Sequence, residues 1–254
     1  MKTMKRMLLC SLLLALSASA ASASGLSLHW NTCTLGGGTQ DATFACDDDF
    51  QFFDLVGQFQ MPSALNGVTG VEFTLDLASA GTTLPAWWQY NAGECRDSQL
   101  GMLTGTPSTF FCPDWAANGS SGGLAAYDEG YFGPNTAHIL GGWAVPLAKA
   151  RNLTTTPNYF LFRLEFTTVG TVAAPVCSGC GVPVCIVFNG AKIVVPPVPG
   201  QPDGSVKISA ARDPGGNFAT WQGGAGTGTI LGQSCPAATP THKSTWGAVK
   251  SLYR

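Results

Sequence analysis

Eight cysteines downstream of an export signal constrain this chain more than any other feature, because covalent staples decide which folds a loop-rich chain can hold. The opening segment carries the three parts of a cleavable secretory signal. Lys2, Lys5 and Arg6 form a positive start, Met7 to Leu16 form an apolar run too short to span a bilayer, and two A-x-A cleavage sites follow, Ala18-Ser19-Ala20 and Ala21-Ser22-Ala23. Cys10 sits behind Met7-Leu8-Leu9 and not behind the small residue that lipoprotein processing requires, which argues against a lipid anchor. The expectation is a signal over residues 1–23 and an exported mature chain, extracellular, at the cell surface or in a periplasm, with no membrane insertion after cleavage.

The other cysteines are Cys33, Cys46, Cys95, Cys112, Cys177, Cys180, Cys185 and Cys235, an even set that predicts four disulfides. Proximity in sequence ranks Cys33 with Cys46 and Cys95 with Cys112 first, since closing a short loop stabilises by about 3 kcal/mol in the chain-entropy model. The last four stay unassigned. Cys177-Ser178-Gly179-Cys180 is a C-x-x-C that zinc or redox chemistry could use, but Cys185 and Cys235 stand alone and an oxidising compartment favours disulfides.

Charged residues make up only 11% of the chain, while 32 glycines and 16 prolines point to many turns and little helix. Without Lys2, Lys5 and Arg6, ten basic side chains face fifteen acidic ones, a formal charge of -5. No basic stripe exists, which excludes nucleic acid as a partner, and no basic amphipathic face exists for anionic membranes.

Apolar/polar alternation over Val71 to Leu77 (VEFTLDL) predicts a strand with Val71, Phe73, Leu75 and Leu77 inside. Asn158 to Thr167 predicts a central strand with Phe160, Phe162, Leu164 and Phe166 inside and Arg163 and Glu165 outside. Val184 to Val195 is either a hairpin turning at Asn189-Gly190 or one long strand. Weaker strands are expected over Leu26 to Trp30, Leu55 to Gln60, Thr136 to Val145 and Val206 to Ser209, and one or two helical turns over Pro146 to Asn152. The fold class is mainly β, an antiparallel β-sandwich stapled by disulfides. It is expected to occupy 24–202, with a glycine-rich extension over 203–254 packed back on it. Within that extension Trp246, Val249, Leu252 and Tyr253 form an apolar stripe expected to dock on the sandwich, with recognition by an export or anchoring partner as the alternative.

VTGVEFTLDL (Val68 to Leu77) and NYFLFRLEFTTVG (Asn158 to Gly170) together resemble the strands of cohesin-like β-sandwich modules from bacterial surface assemblies. LPAWWQ (Leu84 to Gln89), PVCIVFN (Pro183 to Asn189), FATWQGG (Phe218 to Gly224) and TWGAVKSLYR (Thr245 to Arg254) are similar to segments of exported bacterial proteins. The first resemblance implies a jelly-roll or cohesin-like sandwich; neither implies particular site residues.

Hydrolytic serine chemistry needs a base, and the chain offers His29, His138 and His242 without a G-x-S-x-G elbow. No H-E-x-x-H and no phosphate-binding G-x-x-x-x-G-K-[ST] occurs. Paired carboxylates could hydrolyse glycosides, with Glu72, Asp76, Glu94, Glu129 and Glu165 as candidates; Asp128-Glu129, expected in a Gly/Tyr-rich loop, is the most site-like. Asp47, Asp48 and Asp49 form an acidic run that suits calcium, with a solvated turn as the plainer alternative. Among seven tryptophans, Trp87, Trp88 and Trp115 could offer indole faces to sugars, and an extended Trp87-Trp88 leaves one of them outside. The function expected is a non-enzymatic extracellular or surface protein with a structural, adhesive or protein-binding role, toward a protein or glycan at the cell surface. Carbohydrate binding is the first rival and a secreted glycoside hydrolase the second.

Overall fold

The computed structural model describes residues 24–120, 122–197, 199–200, 202–209 and 216–222, with the backbone of 229–230 and 233–234. The signal, Cys235 and the stripe at Trp246 lie outside the described residues. In chain order the strands are β1 (Gly25–Trp30), β2 (Asp41–Ala42), β3 (Phe52–Gln60), β4 (Leu65–Val68), β5 (Gly70–Ser79), β6 (Leu100–Leu103), β7 (Gly123–Glu129), β8 (Thr136–Ala144), β9 (Arg151–Leu153), β10 (Asn158–Thr167), β11 (Val184–Val194), β12 (Val206–Ile208) and β13 (Phe218–Trp221). A four-stranded antiparallel sheet runs β1-β3-β10-β6. A larger sheet runs β2-β13-β11-β5-β8-β7, with β12 also on β11; it is antiparallel apart from the short parallel contact of β2 with β13.

The alternating faces of β5 and β10 pack the two sheets into a sandwich. At its centre Phe162 of β10 stacks on Phe73 of β5, ring centroids 4.0 Å apart. Each ring lies over a glycine of the neighbouring strand, Phe162 over Gly57 and Phe73 over Gly141, and the register pairs these same residues. A glycine under an aromatic ring lets the ring cover backbone that a side chain would otherwise hold off. At one end Trp30, Phe44, Phe53, Trp87 and Trp221 pack edge-to-face or tilted, with centroids as close as 4.1 Å. A buried indole usually finds a partner for its N–H, as three of these do. Trp30 donates to the Thr220 carbonyl, Trp87 to the Thr171 hydroxyl and Trp221 to the Cys180 carbonyl.

The disulfides differ from the proximity ranking. Cys33 pairs with Cys112, Cys95 with Cys177 and Cys46 with Cys180, at Cα separations of 5.7, 5.7 and 6.0 Å. Cys185 is also disulfide-bonded. Cys33 follows β1 in the small sheet, whereas Cys46 follows β2 in the large one, so the chain carries these sequence neighbours to opposite layers. Closure entropy grows only as the logarithm of loop length and distinguishes the two pairings by about 1.6 kcal/mol, less than the topology imposes.

Val184–Val194 is one continuous strand, with the irregularity between Phe188 and Gly190 as a bulge instead of a hairpin turn. Beyond residue 202, β12 and β13 both pair with β11. Pro146 to Asn152 contains a single 3-10 turn, Leu147–Lys149, which gives way to β9. No helix of the described residues is long and apolar enough to cross a membrane.

Candidate functional site

β7 closes the large sheet and β6 closes the small one, and both edges lie on the same side of the sandwich. Ala125 and Tyr127 of β7 pack toward the core while Leu124 and Ala126 face outward, the alternation expected of a half-buried strand. The Tyr127 hydroxyl fixes its position by donating to the Trp88 carbonyl at 2.5 Å. β7 pairs with β8 from Gly123 to Glu129, and among the described residues no strand pairs with its other edge. Natural edges are usually blunted by lysine, proline or a bulge. Residues 123–127 have none of these: the run is Gly-Leu-Ala-Ala-Tyr, with Asp128 and Glu129 only at its end.

The two edges touch at Gly123, where a Cβ would lie 2.2 Å from Met102 Cε and 2.8 Å from Thr104 Cγ2. They part toward Tyr127 and leave a cleft of about 460 Å³, lined among others by Tyr90, Asn91, Ser98, Leu100, Tyr127 and Asp128. The rings of Tyr90 and Tyr127 stand edge to face, 5.1 Å apart. Tyr90 is buried and its hydroxyl has no hydrogen-bond partner. Burial pushes this phenol well above its ordinary value, with the nearby Arg96 charge acting in the opposite direction. Ser98 holds a left-handed φ of 63°, an uncommon conformation for a residue with a Cβ. Glu129 accepts the Asn91 N–H at 3.3 Å. Burial raises its carboxyl above the ordinary range, that hydrogen bond lowers it, and the charges of Glu94 and Asp128 raise it further.

A second polar group lies on the outer face of the large sheet, across β8, β5 and β11. His138 Nδ1 lies 2.5 Å from Asp76 Oδ1, and Asn189 Nδ2 donates to the other oxygen. Tyr131 stacks on the imidazole at 4.6 Å. His138 Nε2 is buried without a hydrogen-bond partner, so no serine, threonine or cysteine meets the base as a hydrolytic triad requires. His29 is buried on β1, within the strand expected over Leu26 to Trp30; His242 lies outside the described residues.

The three tryptophans singled out for sugars are core residues. Trp87 and Trp88 occupy the 3-10 turn Ala86–Trp88 and are both 0% exposed, and Trp115 is 3% exposed. The extended geometry that would leave one indole outside is absent, because a tight turn directs successive side chains by another period. Trp115 instead packs on Trp143, centroids 4.8 Å apart.

The acidic run is divided among different tasks. Asp48 accepts the Phe50 N–H at 2.9 Å and the Gln51 amide at 2.6 Å. Asp49 accepts the successive N–H groups of Thr171, Val172 and Ala173 at 2.6, 2.9 and 2.7 Å. Asp47 is exposed. Among the described residues no three His, Cys, Asp or Glu side chains gather as metal ligands. Cys177 and Cys180 bond to Cys95 and Cys46, so the C-x-x-C is not itself a dithiol pair.

Glu72 and Glu165 lie half-buried on β5 and β10, and Glu94 is exposed in the turn below the cleft. Asp54, which was not among the candidates, pairs with Arg163 at 3.0 Å, and burial still raises its carboxyl. Tyr90 was also missed, because only the fold brings it to the edge of β7; the sequence signal that could have found the edge is the charge-free run Leu124 to Tyr127. No protein-family model, curated protein or solved structure matches this chain.

Proposed function

We propose that this is an exported, disulfide-stapled extracellular or surface protein that binds another protein through strand addition at β7. The observation that carries this reading is the outer edge of β7, which among the described residues pairs with no strand, lies beside a cleft and lacks the charges that usually protect an edge. An extended partner segment there would gain ladder hydrogen bonds from the backbone and selectivity from side chains set in the cleft. The likeness of β5 and β10 to the strands of cohesin-like modules favours the same class of role.

A photo-cross-linking amino acid at Ala126 tests it, with Lys207, exposed on β12, as the control position. The expected result is capture of one defined partner from the native extracellular milieu at Ala126 and not at Lys207, lost on Leu124→Lys. Equal capture at both positions overturns the reading. Polysaccharide hydrolysis by paired carboxylates is a second reading, favoured by the raised carboxyl of Glu129 beside the charges of Glu94 and Asp128. Reducing-end release that disappears in Glu129→Gln would establish it.

A further inference from the structure

We propose that the cleft between β6 and β7 receives the side chain of a lysine or arginine carried by the partner segment, an inference that rests on strand addition at β7. A segment paired with β7 projects alternate side chains to one face of the sheet, and on the inner side that face is the cleft.

Three observations define what fits there. Tyr90 and Tyr127 place two electron-rich rings in the wall, a surface that attracts cations. Tyr90 lines the cleft though only 7% exposed, and its buried hydroxyl has no partner, which leaves an unused acceptor in the wall for an N–H donor. Glu129, on the same face of β7 as Tyr127, is anchored to Asn91 at the end of the cleft, and Asp128 and Glu94 are near enough for their charges to act on it. A cation relieves the repulsion among these carboxylates, and an anion adds to it.

The guanidinium of Arg96, close by, is already committed to other partners. Arg96 is fully buried beneath Tyr90, its guanidinium 3.9 Å over the Trp87 ring, and it donates to the carbonyls of Trp87 and Thr167. Its charge acts on Asp49 and on Tyr90, but the guanidinium is not part of the lining. A neutral polyol would hydrogen-bond the hydroxyl and the carboxylates but leave the repulsion among them unrelieved.

The test is NMR titration of the mature protein with four blocked amino acids: Nα-acetyl methylamides of lysine, arginine, norleucine and glutamate. Lysine and arginine are expected to give saturable shifts at Tyr90, Asn91, Tyr127 and Asp128, while norleucine and glutamate leave these signals in place. Glu129→Gln keeps an acceptor for the Asn91 N–H and is expected to weaken the cationic probes about fivefold, the factor of one charge contact in a water-exposed site. Asp128→Asn serves the same purpose should that variant fail to fold. An equal response to norleucine, a stronger one to glutamate, or no shift with any probe overturns the proposal. The two readings fail separately: a partner captured at Ala126 without cationic preference leaves strand addition standing, and cationic preference without capture removes strand addition alone.

Discussion

Gly141 and Gly57 are where single atoms decide how closely the two layers approach. An added Cβ on Gly141 would lie 2.2 Å from Phe73 Cζ, and one on Gly57 would lie 2.2 Å from Phe162 Cε1. The two rings are stacked on one another, so neither can retreat without moving the other. Gly141→Ala therefore overpacks the centre of the sandwich. The loss of chain freedom in the unfolded state favours alanine by about 0.4–1 kcal/mol, but overpacking typically costs about 1–3 kcal/mol. The expected net result is a destabilisation of about 1–2 kcal/mol in urea unfolding, partly recovered by adding Phe73→Leu. An unchanged midpoint would show that the ring stack yields freely.

At the scale of elements, the loop Thr168 to Ala173 is held by a side chain from the segment before β3. Asp49 accepts three successive N–H groups there, and they hold its carboxyl below the ordinary value, Val172 first, with the Arg96 charge adding to the effect. A carboxyl with a depressed folded value stabilises above the unfolded value of 3.8, and the contribution disappears as pH falls through the folded value. Asp49→Asn is thus expected to unfold at lower denaturant near neutrality, and the gap from the parent is expected to narrow below pH 3.8. A constant gap across that range would assign the loss to shape and not to charge. Strands such as Val71 to Leu77 and Asn158 to Thr167 were legible because their period of two is written in adjacent residues. The Asp49 clamp was not, since its donors lie 122 to 124 positions away. β6 and β7 also escaped, because their short runs LGML and GLAAYDE carry weak alternation and the cleft exists only where the two meet. The tryptophans pointed outward on the assumption of extended chain, which the turn at Ala86–Trp88 removes.

For the whole molecule, the disulfides join segments that no local element connects. The three bridges placed among the described residues span 79, 134 and 82 residues, so each removes more freedom from the unfolded chain than a bridge between sequence neighbours. The chain-entropy model gives about 4.5–5 kcal/mol for loops of this length, although measured losses on removing a native bridge are nearer 2–5 kcal/mol. A domain of ordinary stability has only about 5–15 kcal/mol in total, so losing all three should leave little folded population. Cys95–Cys177 is the informative bridge to remove, because it ties the turn beneath the cleft to the loop clamped by Asp49. Cys95→Ser with Cys177→Ser is expected to lower stability by about 2–5 kcal/mol in guanidinium unfolding. Hydrogen exchange should quicken most at Asn91 to Gln99 and Thr168 to Cys177, while β5, β8 and β10 stay protected, since they are held by ladder bonds and the stacked core. The same variant also bears on binding: if the turn shifts, the cationic probes should weaken even though Asp128 and Glu129 are intact. Unchanged stability and unchanged exchange would mean that packing alone fixes this end of the sandwich and that the bridge adds nothing to the cleft.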